Sequence, residues 1–256
     1  MKISFLLISS LVFLTLLQRT SWAGQDAPGL NQPFSVVELF ASEGCSSCPP
    51  ADALLRELTR VAREQGKRIF TLSFQVDYWN DLGWVDPFSN EQFTRRQYRY
   101  ADILQSSSVY TPQMVINGTR AFVGSRADLV KQYIDESLKM PASNAITLKI
   151  TNNSQPQIEA SYRCRELTPD AVLNFALVER DLENNVTRGE NAGRILKHDN
   201  IVRGFKSIPL KEKEGVVGFR KPVVDDLSHF SIIAYVQDAR NMKIVAADST
   251  DLAQGK

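Results

Sequence analysis

The chain has 256 residues, 43% of them hydrophobic, with 30 Lys and Arg against 29 Asp and Glu for a formal net charge of +1. That length has room for two domains of about 100–150 residues each. The balance of charge excludes the strongly basic character of a nucleic-acid binder, and the Arg95-Arg96-Gln97-Tyr98-Arg99 run reads as a solvated helix face.

Residues 1–23 have the pattern of a secretory signal peptide. Lys2 gives a positive start, residues 3–17 are apolar apart from Ser and Thr, and Ser21-Trp22-Ala23 ends in a small-x-small cleavage pattern. The apolar run is shorter than the ~20 residues that span a bilayer. The expectation is an exported chain, periplasmic or secreted, cut after Ala23 and without a membrane span. Residues 24–33 read as a polar leader arm.

Residues 34–40 are apolar and β-prone except for Glu38. Gly44 then permits a sharp turn, and Cys45-Ser46-Ser47-Cys48 follows. Ala51, Leu54, Leu55, Leu58, Val61 and Ala62 recur with the period of one helix face, and Gly66 supplies a stop. Two cysteines thus stand where a strand feeds a helix N-terminus. Free backbone N–H groups and the helix dipole stabilise a thiolate there, and a second thiol three residues on can resolve a mixed disulfide. Such a Cys-x-x-C reads as a redox motif, with Cys45 the more exposed, attacking thiol and Cys48 the deeper, resolving one. Two other readings stay open: a permanent structural disulfide, and half of a metal site. Zinc would need two further ligands, and Cys164, His198 and His229 are scattered in sequence. Cu(I) held by the two thiolates has no His or Met nearby in sequence, although Met114 closely follows Pro112. The motif implies no organic cofactor and no metal.

Residues 69–76 read as a buried strand. Residues 77–87 form a loop rich in aromatics and acids, in which Trp79 and Trp84 are either a substrate-binding wall or a packed lid. Asp86-Pro87 has the form of an N-cap and first helical residue, predicting a helix to about Gln105. Pro112 opens a third strand, Asn117-Gly118 signals a hairpin, and residues 120–124 return. Ser125 with Asp128 is read as the cap of a last helix reaching about Lys139.

This order, with Cys45 and Cys48 opening the first helix and Thr111-Pro112 opening the third strand, resembles the thioredoxin superfamily. The resemblance implies a cis Thr111–Pro112 bond beside the cysteines. Thr111 would then offer backbone groups to an extended substrate strand. It also implies a buried acid, Glu38, that takes the proton of Cys48; the other reading of Glu38 is an acid on a solvated or hydrogen-bonded strand face. Glu38-Leu39-Phe40, Ser42-Glu43-Gly44-Cys45, Cys48-Pro49-Pro50-Ala51-Asp52, Val76-Asp77-Tyr78-Trp79, Leu82-Gly83-Trp84 and Arg188-Gly189-Glu190-Asn191 together resemble a secreted thioredoxin-like family catalogued as a domain of unknown function.

After residue 145 the pattern changes to alternation. Residues 146–150, 158–164, 172–178, 215–219, 230–236 and 243–247, with two short pieces around Asp199-Asn200, predict about seven strands. Cys164 falls on an apolar face and reads as a small buried hydrophobe. Arg188–Asn191 and the Arg194, His198 and Arg203 set are candidates for the junction between the halves. The expected fold class is an α/β thioredoxin-like domain (34–140) followed by an all-β sandwich-like domain (145–256). The expected activity is thiol–disulfide exchange on protein cysteines, with a separate redox partner. The alternatives are a non-catalytic binding protein or a copper-handling one.

Overall fold

The computed structural model describes residues 32–153, 156–224 and 226–254. The expected signal peptide and nearly all of the leader arm lie outside them. Among the described residues no helix is long and apolar enough to cross a membrane.

The first strand, β1 (Ser35–Ala41), is buried along its whole length. Helix α1 (Pro49–Gln65) begins with the two prolines, which suit a first turn whose N–H groups have no helical acceptor, and ends at Gly66 with φ 60°. Strand β2 (Ile69–Gln75) runs parallel to β1. Helix α2 (Glu91–Ile103) starts later than Asp86-Pro87 suggested. Asp86 is turned inward, where its carboxylate accepts from the backbone N–H groups of Glu43 and Phe88 at 2.8 Å each. Asn90 caps the helix instead, accepting from the Gln92 N–H. Strands β3 (Gln113–Ile116) and β4 (Arg120–Val123) form the expected hairpin. At its turn Gly118 has φ +71°, and a Cβ there would lie 1.8 Å from the Met242 carbonyl oxygen, so only glycine fits. Helix α3 (Ala127–Ser137) has Arg126 at its cap position with no side-chain bond, so Ser125 does not cap it.

Strict alternation along β1 sorts the packing. Val37, Leu39 and Ala41 pack with Ala51, Leu55, Val130 and Ile134 of α1 and α3, together with Cys45 and Cys48. Val36 and Phe40 point the other way, into a cluster with Phe74 and with Phe93 and Tyr100 of α2.

The second half contributes β5 (Ile146–Asn152), β6 (Gln157–Cys164), β7 (Ala171–Glu179), β8 (Leu182–Val186), β9 (Arg194–His198), β10 (Ile201–Pro209), β11 (Glu214–Arg220), β12 (Phe230–Asp238) and β13 (Ile244–Asp251). A mixed eight-stranded sheet runs through both halves in the order β13-β12-β7-β10-β2-β1-β3-β4. The join is between β10 and β2, where Ile201 pairs with Ser73 and the Ser73 N–H donates to the Asn200 carbonyl. A three-stranded sheet, β11-β6-β5, covers one face of the second half. Its Ile158, Ala160 and Tyr162 pack on Phe175, Leu177 and Ile232. The cluster around Phe40 and Tyr100 includes Ile233, Tyr235, Met242 and Ile244, so the halves share a core as well as a sheet. The β8–β9 ribbon stands apart from both sheets and reaches back toward the cysteine turn.

Candidate functional site at the cysteine turn

The turn after β1 is drawn tight by its own backbone. The Gly44 N–H donates to Ser42 Oγ at 3.0 Å, the Cys45 N–H to the Ser42 carbonyl at 3.1 Å, and the Cys48 N–H to the Cys45 carbonyl at 3.2 Å. Cys45 and Cys48 are joined in a disulfide with their Cα atoms 5.5 Å apart. Both are 0% exposed, whereas Ser46 and Ser47 between them face solvent. The expectation that Cys45 is the exposed thiol is thus corrected, because neighbouring segments from elsewhere in the chain cover it.

One such segment is the aromatic loop. Trp79 is half-buried against the cysteine cluster and its Nε1–H donates to Thr111 Oγ1 at 2.8 Å. The Thr111–Pro112 bond is cis. The Ser47 hydroxyl lies 3.3 Å from Cys45 Sγ and 3.5 Å from the Thr111 carbonyl. Trp84 donates from Nε1 to Glu43 Oε2 at 3.0 Å. Both tryptophans therefore anchor the loop to the site by hydrogen bonds.

Glu43 is the centre of a buried polar cluster that was read in sequence only as part of a motif. Its carboxylate accepts from Trp84 and from Asn184 of β8 (2.7 Å), and meets His198 Nε2 of β9 at 3.1 Å. His198 Nδ1 faces Asp52 Oδ1 at 3.5 Å, an ion-pair contact rather than a well-formed hydrogen bond. Asp52 lies in the first turn of α1, and its N–H donates to the Cys48 carbonyl at 3.1 Å. Burial opposes charge on His198, but the carboxylates of Asp52 and Glu43 override it and raise its pKa to about 10. His198 is thus an imidazolium held between two carboxylates beside the disulfide.

Asp86 lies in the same region, and burial raises its pKa to about 6, against the lowering effect of its two backbone donors. The folded state therefore holds this proton more tightly than the unfolded chain, and stability rises as pH falls from about 6 toward 4. Ionised Asp86 costs about 3 kcal/mol at neutral pH by linkage. Asp86→Asn is expected to remove this slope. Urea unfolding of both proteins at pH 4.5 and 7 checks it: a stability difference that does not change with pH rejects the assignment.

Glu38 is not part of this site. It lies on the α2-facing side of β1, away from the side that packs with the cysteines. Arg96 reaches it at 2.7 Å, Tyr235 donates to it at 2.9 Å, and Tyr100 also donates to it. The proton role assigned to Glu38 finds no geometric support. Arg96 likewise departs from the expected solvated face: its guanidinium is buried among the rings of Phe74, Tyr100, Phe205 and Tyr235, with centroids 5.2–5.7 Å away.

The second covering segment is the connection between β8 and β9. Asn191 is fully buried, and its amide donates to the carbonyls of Glu43 (2.8 Å) and Cys45 (2.9 Å). Glu190 accepts from the Ser46 N–H at 3.0 Å. Glu190, Asn191 and His198 thus meet the cysteine turn or its neighbours, as the junction reading expected, whereas Arg194 donates to Asn191 Oδ1 at 3.0 Å within the same connection. Arg203 instead pairs with Glu179 at 3.5 Å and covers the Phe88 ring. Cys164 is buried in the core of the second half, with its thiol pKa pushed up to about 12 by burial, and His229 pairs with Asp181 at the surface. Among the described residues no group of three or more His, Cys, Asp or Glu is arranged to hold a metal ion.

No curated protein matches the chain. Among solved structures it is similar to protein AGR_C_4864 from Agrobacterium tumefaciens, with 25% identity, a TM-score of 0.64, and coverage of 90% of this chain and 97% of that one. A domain of the outer membrane lipoprotein Omp28 from Porphyromonas gingivalis matches at 14% identity and a TM-score of 0.27, over 43% of this chain and 88% of that one. The model of the family described as "Protein of unknown function (DUF1223)" matches residues 36–237, and the chain belongs to that family.

Proposed function

We propose that the protein is an exported thiol–disulfide oxidoreductase acting on protein cysteines through Cys45 and Cys48. The observation that carries this reading is the position of the disulfide, which closes the turn into α1 with Ser47 facing Thr111 across it. The order β2-β1-β3-β4, flanked by α1 and α3 on one face and α2 on the other, supports a thioredoxin-like unit over residues 34–140. The strands after residue 145 extend its sheet and add a second layer. In the reaction a substrate thiolate attacks Cys45 Sγ, a new S–S bond forms, and Cys48 leaves as a thiolate that takes up a proton. A second substrate thiolate then attacks the substrate sulfur of the mixed disulfide and releases Cys45. Substrate leaves oxidised and the pair is left reduced; the reverse sequence oxidises the pair. Glu43, Asp52 and His198 are the ionisable groups that set the electrostatics of this exchange, in place of Glu38.

The complete burial of both cysteines favours a second reading, a binding protein with a structural disulfide. The reduction potential separates the two. A value between about −120 and −270 mV fits an exchange enzyme, and one below about −300 mV fits a structural bond. Under the first reading Cys45→Ser abolishes exchange with protein thiols; retention of exchange by that variant rejects the assignment.

A further inference from the structure

We propose that residues 188–193 form an access gate over the Cys45–Cys48 disulfide, held shut by Glu190 and Asn191. This deepens the oxidoreductase reading and rests on it, since a gate matters only where thiols exchange. Three observations carry it. The sulfurs are out of solvent although Ser46 and Ser47 are exposed, so the cover is thin and local. The segment grips the cysteine turn by polar bonds to its backbone: Asn191 to the carbonyls of Glu43 and Cys45, and Glu190 to the Ser46 N–H. Asn191 is also the one buried residue between Thr187 and Ile195, so the segment has no apolar anchor of its own.

The ends of the segment are built to bend. Gly189 and Gly193 have φ of +74° and +80°, where other residues are strained, and neither belongs to a strand. Gly189 also lies against the aromatic loop: a Cβ there would stand 3.0 Å from Trp84 Cβ. The two covering segments therefore close against each other, and Trp84, Asn184 and His198 fasten both to the single carboxylate of Glu43. The gate belongs to the second half of the chain and the disulfide to the first. By this arrangement the second half determines when an external thiolate reaches Cys45 Sγ.

The test is the rate at which dithiothreitol reduces the pair in the full-length mature protein, read by alkylation and mass spectrometry. One reductant thiolate attacks Cys45 Sγ and expels the Cys48 thiolate, which is protonated. The second reductant thiol closes the cyclic disulfide and frees Cys45. Asn191→Ala combined with Glu190→Ala is expected to speed this about tenfold or more, the scale of losing the two buried Asn191 bonds together with the Glu190 bond to the Ser46 N–H. The equilibrium ratio of oxidised to reduced protein in a dithiothreitol redox buffer should stay unchanged. Gly189→Ala is the second variant: it deletes no hydrogen-bonding group and should speed reduction through its clash with Trp84. Unchanged rates in both variants overturn the gate, as do increases that merely track faster global unfolding. A wild-type equilibrium typical of structural disulfides would end the oxidoreductase reading, whereas unchanged rates with an exchange-type equilibrium would end the gate alone.

Discussion

Arg96→Ala is expected to cost on the order of 3–5 kcal/mol of folding stability, because it leaves the Glu38 carboxylate buried without its cation. The guanidinium meets Glu38 at 2.7 Å and also donates to Tyr100 and Gln237 at 3.1 Å each. Burial alone would lower its pKa, but the charge of Glu38 overrides this and holds it above the ordinary arginine value. Four rings around it add cation–π attraction. Tyr235 and Gln237 come from β12, Glu38 from β1 and Arg96 from α2, so the cluster fastens the two halves together. Arg96→Met combined with Glu38→Gln removes both charges and should recover much of the loss, since a buried pair can often be replaced by neutral groups at little cost. Urea unfolding of wild type and the two variants measures this. A loss below about 1 kcal/mol for Arg96→Ala would place the pair with weak surface bridges and reject the argument.

Where a residue's environment is set by its neighbours in sequence, the chain was readable in advance. The period of Ala51, Leu55 and Ala62 identified α1, and Asn117-Gly118 marked the β3–β4 turn. Alternation also located most later strands, but it cannot say which sheet a strand joins. Strand β10 could extend the sheet of the first half as readily as build a separate sandwich, and it does the former. Strand β8, Leu182–Val186, was invisible because its Leu-Glu-Asn-Asn-Val sequence is polar and half-exposed. Asp86-Pro87 has the form of a helix start, yet the Glu43 backbone N–H recruits Asp86 from 43 residues away.

The buried polar cluster around Glu43 follows the same limit. Parity along β1 already separates Glu38 from the face of Val37, Leu39 and Ala41 that meets the cysteines, and that signal was available from alternation alone. Asp52, one helical turn after Cys48, carried a similar local signal. The partnership of Glu43 with His198, 155 residues apart, carried none, because it depends on how the β8–β9 ribbon folds back on α1. Long-range polar pairs satisfy burial, not periodicity, so they emerge only when the topology is known.

His198→Gln is expected to lose about 3–5 kcal/mol at pH 7, since it removes the cation between the carboxylates of Glu43 and Asp52. The sign of the pH dependence identifies the cause. The folded pKa lies near 10, above the ordinary 6.5, so this stabilisation is fully present below pH 6.5 and fades as pH rises through 10. The difference between wild type and His198→Gln should therefore shrink across that window. A difference independent of pH would mean a neutral imidazole acting as a packing element. Adding Glu43→Gln should restore part of the stability, because one of the two unpaired carboxylates is then gone. The cluster also borders the Cys45–Cys48 pair, so removing its imidazolium leaves net negative charge near these cysteines once they are reduced. Their thiol pKa values should rise in His198→Gln, read from the pH dependence of alkylation after reduction. A purely structural histidine would lower stability without moving that profile; one that also tunes the thiols moves both.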